Sequence, residues 1–314
     1  MLTMKTYIGI DLGGTNIKGA LVNEQGEIIR QSTCPTHAEQ GVEAVTATIA
    51  DMIRDLAKGE DIAGVGLGCP GIVDDKCGTV VYACNLGWIN YDVRSALKKL
   101  TGFSVRLVND ANAAALAEVV AGAAKGAESA VVVTLGTGVG GGVVIGGRLL
   151  TGYTGAASEL GHMTIVADGV PCACGRKGCF EAYASATALI RMTDEAMAKH
   201  SESVMHKIAT EQGVDGRTAF TAQQMGDAAG DEVVKEYIRY LSIGIANIVN
   251  IFFPEVVALS GGVANQGENL LAPLRREVSQ QEYGAAYTAK HPRLVCCTLG
   301  NTAGMIGAAM FAKD

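Results

Sequence analysis

The chain has 314 residues, 48% hydrophobic and 18% charged, a composition typical of folded globular proteins rather than of disordered ones. Its length exceeds what a single hydrophobic core usually serves, so two domains with a ligand-binding cleft between them are expected. The formal net charge of -7 arises from 25 Lys and Arg against 32 Asp and Glu, without any basic run, which argues against a nucleic-acid partner.

The six N-terminal residues form a short polar segment before the first predicted strand, so no cleavable signal peptide is apparent. No apolar run along the sequence reaches the roughly 18 to 20 residues that a membrane-spanning helix needs. Together these features predict a cytoplasmic protein without a membrane partner.

The first half of the sequence alternates segments typical of strands and of helices. The first apolar strand breaks at Gly13-Gly14 and resumes beyond it, which predicts a hairpin with a glycine-rich bend. In chain order, the predicted elements are strands at 7–11 and 17–22, a helix at 40–57, strands at 65–67 and 105–108, and a helix at 111–120. This alternation predicts an α/β domain.

The second half begins as the first half does. A strand at 130–134 leads into a glycine-rich bend at 135–138, and another strand follows at 143–145. Thr134-Leu135-Gly136 repeats the order of Asp11-Leu12-Gly13, which indicates a duplicated domain. The remaining predicted elements are a mostly helical stretch at 182–253, a strand at 256–259, a turn at 260–262 and helices at 268–278 and 302–313.

The last predicted helix is expected to pack back on the first domain, because chain termini often lie close together. The first predicted domain is therefore 1–121, completed by 302–314. The second is 122–301, and it contains a cysteine-rich segment at 162–179. Both domains are expected to be of the α/β class.

Two segments, 66–71 and 136–141, match the dinucleotide pattern Gly-x-Gly-x-x-Gly. That fingerprint needs a helix directly after the glycines, so that pyrophosphate binds at the helix N-terminus. Residues 72–78 instead predict a turn, and the residues after 141 predict a β-branched strand. A nicotinamide site is therefore rejected, and the Gly-x-x-x-x-Gly-Lys-Ser/Thr sequence of a P-loop does not occur.

The glycine bends at 13–14 and 136–138 are instead interpreted as phosphate loops, one from each half of the duplication. Backbone N–H groups freed by glycine surround anionic oxygens, and Thr15 and Thr137 add hydroxyl donors. Asp11 would hold Mg²⁺ directly or through water, because this hard cation prefers carboxylate and water oxygens. The competing interpretation is two tight hairpins with a solvated aspartate, and the matched pair of bends favours phosphate binding.

Asn109-Asp110 lies between a predicted strand and a predicted helix, where either residue is favoured as an N-cap. The carboxyl end of a strand in an α/β sheet is also where ligands bind. A carboxylate there accepts a hydroxyl proton as a phosphoryl group arrives. Capping and catalysis are therefore competing interpretations of Asp110.

A cluster of metal-ligand residue types follows in the second half. His162, Cys172, Cys174 and Cys179 form a His-x9-Cys-x-Cys-x4-Cys array in a chain without an export signal, which favours metal binding over disulfides. These are the ligand types of a closed structural Zn²⁺ site. Because four protein ligands leave no open position, the zinc is expected to shape the site rather than attack a substrate. A lone histidine or cysteine would be an ordinary core or surface residue.

Two glutamates, Glu159 and Glu181, flank this array and would be held near it by the metal. The alternative is that both are solvated surface charges. Spacing alone leaves the two interpretations open.

These residues carry a resemblance that runs along nearly the whole chain. The motifs are Asp11-Leu-Gly-Gly-Thr-Asn16, Gly66-Leu-Gly-Cys-Pro-Gly71, Asn85-Leu-Gly-Trp88, Asn109-Asp110-Ala-Asn112, Thr134-Leu-Gly-Thr-Gly-Val-Gly-Gly-Gly142, Glu159-Leu-Gly-His162, Cys172-Ala-Cys-Gly-Arg-Lys-Gly-Cys-Phe-Glu181 and Leu299-Gly-Asn-Thr-Ala-Gly304. The sequence thus resembles the ROK family of bacterial sugar kinases, in particular its Gram-positive glucokinases.

The resemblance implies a two-domain, actin-like (ribonuclease H-like) α/β fold with ATP and sugar in the interdomain cleft. It implies phosphorylation of a hexose, most of all glucose, at the 6-hydroxyl, with Asp110 as general base and Asn109 as a hydrogen-bonding neighbour. Glu159, His162 and Glu181 would hold other sugar hydroxyls, and His162 would also ligate zinc. The residues implied to bind ATP and Mg²⁺ are Asp11, Gly13, Gly14, Thr15, Asn16, Lys18, Thr134, Gly136, Thr137, Gly138, Gly261 and Gly262.

Three other functions compete with a glucokinase. Another hexose, such as N-acetylmannosamine, would use largely the same contacts. Some relatives are sugar-sensing repressors, but these need an N-terminal helix-turn-helix, and the first strand begins by about residue 7. A silent sugar-binding protein would not need Asp11, Asp110 and both glycine bends.

Members of the family that the sequence resembles are often dimers or tetramers, and the resemblance therefore implies a homo-oligomer.

Overall fold

The computed structural model describes residues 5–313, so the predictions that concern residues 1–4 and 314 lie outside the described residues. Its strands are β1 (Thr6–Leu12), β2 (Asn16–Asn23), β3 (Ile28–Pro35), β4 (Ile62–Cys69), β5 (Ile72–Asp74), β6 (Thr79–Ala83), β7 (Trp88–Tyr91), β8 (Val105–Asn109), β9 (Ser129–Leu135), β10 (Val139–Ile145), β11 (Arg148–Leu149), β12 (Val256–Ser260) and β13 (Arg293–Cys296). Its α-helices are α1 (Val42–Ala57), α2 (Val93–Thr101), α3 (Asp110–Val120), α4 (Glu181–Ala184), α5 (Ala186–Lys199), α6 (Met205–Gln212), α7 (Thr218–Gln224), α8 (Ala228–Phe252), α9 (Glu268–Gln281) and α10 (Ala303–Phe311).

The chain divides into two compact units. The first contains 1–130, 142–158 and 297–314, and the second contains 131–141 and 159–296. These limits differ from the predicted domains, because strand β10 continues out of the second unit and its end pairs with β11 in the first. The second predicted domain is one continuous stretch of sequence, so the prediction does not include the return of residues 142–158 to the first unit.

The first unit is built on a five-stranded sheet with the order β3-β2-β1-β4-β8. Strand β1 pairs antiparallel with β2 and parallel with β4, and β4 pairs parallel with β8. Helix α10 packs closely on β1 and β4. The approach at β4 is so close that a Cβ added at Gly66 would lie 1.9 Å from the Ala308 carbonyl oxygen. The backbone of α10 therefore reaches the sheet through a position that only glycine leaves open.

A second, three-stranded sheet with the order β5-β6-β7 belongs to the same unit. Residues 72–74 form β5, so the turn predicted for 72–78 is wrong over its first three residues. The reason is the antiparallel pairing of β5 with β6, in which Val73 is opposite Val80 and Asp74 is opposite Thr79. The turn itself is confined to the residues after Asp74.

Strand β8 is the free edge of the five-stranded sheet, and Asp75 and Arg94 cover part of it. The Asp75 carboxylate accepts the Leu107 N–H at 2.7 Å, and the Arg94 guanidinium donates to the Val105 carbonyl at 2.7 Å. Arg94 and Arg106 both pair with Asp75, at 2.6 and 2.7 Å. These side chains satisfy backbone groups that would otherwise template pairing with another strand, and so hold the strand that ends at Asn109.

In the second unit, strands β10, β9, β12 and β13 lie side by side in that order. The stretch predicted as mostly helical consists of α4 to α8, and helix α8 begins where the Asp227 side chain caps the Gly230 N–H at 2.8 Å. Within residues 5–313, no helix is both long enough and apolar enough to cross a membrane.

Candidate active site

Asn109 and Asp110 join β8 to α3, and the structure separates their roles. The Asn109 side-chain oxygen accepts the N–H groups of Ala111 and Asn112 at 3.0 and 3.2 Å. Its amide group donates to the Gly71 carbonyl at 3.0 Å and to Asp110 Oδ1 at 3.0 Å. Asn109 is therefore the N-cap, and Asp110 is the first residue of the helix. Because Asn109 caps the helix, Asp110 is not needed as the N-cap and its carboxylate is available for catalysis.

Asp110 is exposed to solvent, and the protein atoms near its carboxylate still exclude part of the surrounding water. Burial raises its pKa, while hydrogen bonds from Ala111 and Asn109 to Oδ1 work in the opposite direction. Burial also raises the pKa of Asp11, which Lys18 lowers and the charge of Asp110 raises further. The charge of Asp110 thus reaches Asp11 within the first unit. A carboxylate with a raised pKa is a better proton acceptor than an ordinary surface aspartate.

Asp11 lies against the start of α10. A Cβ added at Gly304, in the first turn of this helix, would be 2.5 Å from the Asp11 carboxyl carbon. The N-terminal end of a helix stabilises a nearby negative charge. Gly304 was recognised in the sequence only as part of a motif, because nothing local shows that it faces Asp11 across the fold.

The first glycine bend connects β1 to β2 and is tied to the strand beside it. The Gly13 N–H donates to the Asn16 carbonyl at 3.0 Å, and the Thr36 hydroxyl donates to the Gly13 carbonyl at 2.6 Å. Gly14, Thr15 and Asn16 are exposed. The Gly13 N–H is therefore used within the turn, and Gly14, Thr15 and Asn16 are the residues of this bend that are accessible to a ligand.

The second glycine bend brings several predicted nucleotide residues together in the second unit. The Thr134 hydroxyl bonds to the Ser260 hydroxyl at 2.9 Å, and the Gly136 N–H donates to the Gly138 carbonyl at 3.0 Å. Gly261, with φ +87°, lies so close that its Cβ would be 2.3 Å from the Leu135 carbonyl oxygen. Gly262 faces open space instead.

Glu181 links this bend to the cysteine cluster. Its Oε2 accepts the Val139 N–H at 2.9 Å, and its Oε1 is 3.6 Å from Cys172 Sγ. A Cβ at Gly138 would be 2.3 Å from Oε2. Glu181 is half-buried and held in place, unlike a solvated surface charge, whereas Glu159 is exposed.

The four predicted zinc ligands converge in the second unit. One ligand atom each from His162, Cys172, Cys174 and Cys179 lies within 4.8 Å of the others. His162 Nδ1 is 3.8 Å from Cys172 Sγ, and the Cys174 and Cys179 sulfurs are 3.7 Å apart. One imidazole and three thiols at such separations fit a tetrahedral ion that prefers nitrogen and sulfur ligands.

Comparison with known proteins shows similarity to one family along nearly the whole chain. The model of the ROK family matches residues 7–314. The chain is 37% identical over 315 residues to the glucokinase of Halalkalibacterium halodurans, covering 98% of this chain and 95% of that one. It is 39% identical to the glucokinase of Thermotoga maritima, covering 98% and 97%. A crystal structure of a ROK family glucokinase from Streptomyces griseus in complex with glucose and AMPPNP matches with 33% identity and a TM-score of 0.78, covering 98% and 99%.

Proposed function

The chain belongs to the ROK family, and we propose on this premise that it transfers the γ-phosphoryl group of ATP to the 6-hydroxyl of glucose. The observation that carries the proposal is the near full-length match to a ROK family glucokinase that binds glucose and AMPPNP together. The family and the actin-like α/β fold predicted from the sequence are confirmed. The curated relatives support glucose as the sugar.

Asp110 acts in this proposal as the general base on the sugar 6-hydroxyl. Its raised pKa, and the hydrogen bonds that fix Oδ1 to Asn109 and Ala111, support the role. Phosphoryl transfer needs little covalent chemistry from a protein, so alignment and proton removal are the main contributions. Asn109 orients Asp110 and the strand end that carries it.

The other sugar hydroxyls are assigned to Glu159, His162 and Glu181. Glu181 is already held by the Val139 N–H, which leaves its other oxygen toward Cys172. His162 places Nδ1 in the metal cluster, so Nε2 is the ring nitrogen that remains for a sugar hydroxyl. Glu159 is exposed and therefore accessible to a sugar hydroxyl.

ATP and Mg²⁺ are assigned to the two glycine bends and to Asp11. The exposed residues Gly14, Thr15 and Asn16, with the neighbouring Lys18, supply donors and positive charge for phosphate oxygens. Asp11 is a suitable Mg²⁺ ligand, directly or through water. In the second unit, Thr134, the bend at 136–138 and Gly261-Gly262 are assigned to the nucleotide.

Zn²⁺ is the metal that the donor set of His162, Cys172, Cys174 and Cys179 fits best. When bound, it supplies structural rigidity, because four protein ligands leave no coordination position for a substrate. Glu181 and His162 each contact this cluster and are also assigned to the sugar. We further propose, from the family resemblance, that the enzyme is cytoplasmic and forms a dimer or a tetramer.

The substrate assignment is tested by measuring kcat/KM with Mg²⁺-ATP over a panel of hexoses and their N-acetyl derivatives. We expect the highest value for glucose, and N-acetylmannosamine is the nearest competitor. A sugar other than glucose with the highest kcat/KM would replace glucose in the proposal. Phosphorylation of no sugar, with normal sugar binding, would indicate a silent sugar-binding protein.

Changing Gly138 to alanine is expected to raise KM for glucose by at least about 10-fold, because loss of one hydrogen bond to a charged group costs ~1.5–3 kcal/mol and about 1.4 kcal/mol is a tenfold change. The new Cβ would lie 2.3 Å from Glu181 Oε2 and would push the carboxylate away from the Val139 N–H. Steady-state kinetics with varied glucose measure the effect. Gly216→Ala is the matched control, since its nearest neighbour is the Val263 Cγ2 atom at 3.9 Å. An unchanged KM in Gly138→Ala would remove Glu181 from the sugar site.

A further inference from the structure

Glu118 is a buried carboxylate in the last turn of α3, with 1% of its surface exposed. Its Oε2 accepts the Ala123 N–H at 2.7 Å. Its Oε1 accepts the N–H groups of Thr298 and Leu299 at 3.0 and 2.9 Å. A buried carboxylate is costly unless such donors surround it, and bonds from N–H groups to a charged acceptor are among the stronger ones in proteins.

The donors that Glu118 binds lie on two different connections of the chain. Ala123 follows α3 on the segment that leads to residue 131, where the chain enters the second unit. Thr298 and Leu299 are two and three residues after residue 296, where the chain leaves that unit for the last time. One side chain thus binds the backbone of two segments, one leading to the second unit and one returning from it, at the end of a single helix.

The backbone around Glu118 is shaped for its carboxylate. A Cβ added at Gly122 would lie 2.0 Å from Glu118 Oε2, so only glycine leaves the space that the carboxylate fills. The N–H groups of Gly122 and Ala124 also donate to the Glu118 carbonyl, at 3.1 and 3.0 Å. The segment after α3 therefore wraps around this one residue.

Asp110 stands at the other end of the same helix. The segments assigned to sugar and ATP belong to both units, and the two connections that Glu118 binds join these segments along the chain. We infer that Glu118 is a positioning residue for catalysis, which fixes the outgoing and returning connections to the helix that carries the base. This inference rests on the proposed function.

The test compares wild-type enzyme with Glu118→Gln. The amide keeps one acceptor oxygen and turns an NH₂ group toward backbone donors, so at least one connection is released. We expect kcat to fall by about 10- to 100-fold, the order of loss that follows a misalignment of about 1 Å. KM for glucose is expected to rise with it, because misaligned side chains also bind the sugar less tightly. Glucose-independent ATP hydrolysis should rise relative to glucose phosphorylation, because a misaligned sugar hydroxyl competes less well with water for the phosphoryl group.

A second variant and a control separate positioning from stability. Gly122→Ala displaces the same carboxylate while leaving it in the chain, and we expect changes in the same direction. Glu282→Gln is the control, because Glu282 is another buried carboxylate, whose Oε1 is 3.1 Å from His291 Nδ1 within the second unit. A loss of folded protein alone lowers the apparent kcat and leaves KM and the hydrolysis ratio unchanged.

The outcomes are distinct. Raised KM and hydrolysis ratio in Glu118→Gln or Gly122→Ala, but not in Glu282→Gln, support the inference. Folded variants with wild-type KM and a wild-type hydrolysis ratio overturn the inference, whatever their thermal stability. An equal change of KM and hydrolysis ratio in Glu282→Gln also overturns it. A wild-type protein that phosphorylates no sugar would instead overturn the proposed function.

Discussion

Asp110→Asn is expected to lower kcat for glucose phosphorylation by about 10²- to 10⁴-fold, the range that a positioned general base contributes. Asparagine has nearly the same shape and still accepts the Ala111 N–H, so the helix start should be preserved. It lacks the negative charge that takes the proton from the sugar hydroxyl. Glucose affinity, measured by calorimetry, should stay within a few fold of wild type.

The matched control for this variant is Asp92→Asn. Asp92 caps α2 by accepting the Ser95 N–H at 3.0 Å, and asparagine is an equally good cap. We expect wild-type kcat in this control. Activity of Asp110→Asn within about tenfold of wild type would remove Asp110 as the base, because general-base catalysis contributes more than that.

The pH dependence follows from the direction of the pKa shift. Burial raises the pKa of Asp110 above its ordinary value, and the nearby Asp11 carries a raised pKa as well. As the pH falls through the raised value, Asp110 gains a proton and ceases to act as a base. The acid limb of kcat/KM in the wild type should therefore begin at a higher pH than for an ordinary aspartate. The limb due to this group should vanish in Asp110→Asn.

Much of the α/β fold was predictable because its central strands are short apolar runs. Residues 7–10 are buried on both faces, and Val105, Leu107 and Val108 are buried beside the partly exposed Arg106. Strand β3 was missed because most of its residues are exposed and polar, so it carries neither an apolar run nor a clear alternation. Its place is set by antiparallel pairing with β2, which is a property of the assembled sheet.

Some residues of the candidate site could be predicted from the sequence, and others are recognised only in the structure. The residue types that carry chemistry, such as Asp110 and the cysteines, are visible in the sequence because their spacing is unusual. Glu118 looks like an ordinary polar position at the end of a helix, and its partners at Thr298 and Leu299 are about 180 residues away. Only the tertiary structure shows that such a residue is buried. The hydrogen bond from Val139 to Glu181 is likewise invisible along the chain.

Cys174→Ser is expected to remove the zinc and to lower kcat/KM for glucose by at least about 10-fold, the order that follows loss of groups supporting a metal site. The reason is that the cluster holds two residues assigned to the sugar, with His162 Nδ1 3.8 Å and Glu181 Oε1 3.6 Å from Cys172 Sγ. Cys174 is exposed, whereas Cys179 is fully buried. A serine at 174 therefore removes a ligand without adding a buried hydroxyl to the core. Metal analysis and glucose kinetics on the same preparation measure both effects.

Cys77→Ser is the control for loss of a thiol, because Cys77 is exposed and lies in the first unit, outside the cluster. It should retain about one zinc per chain, as a single closed four-ligand site predicts, and wild-type kinetics. Prolonged treatment of the wild type with a strong chelator should reproduce the Cys174→Ser kinetics, since both remove the same ion. If Cys174→Ser is metal-free and fully active, the cluster does not support the sugar site. If the wild type itself contains no zinc, the three cysteines hold Glu181 and His162 through their own packing, and chelation should then leave kcat/KM unchanged.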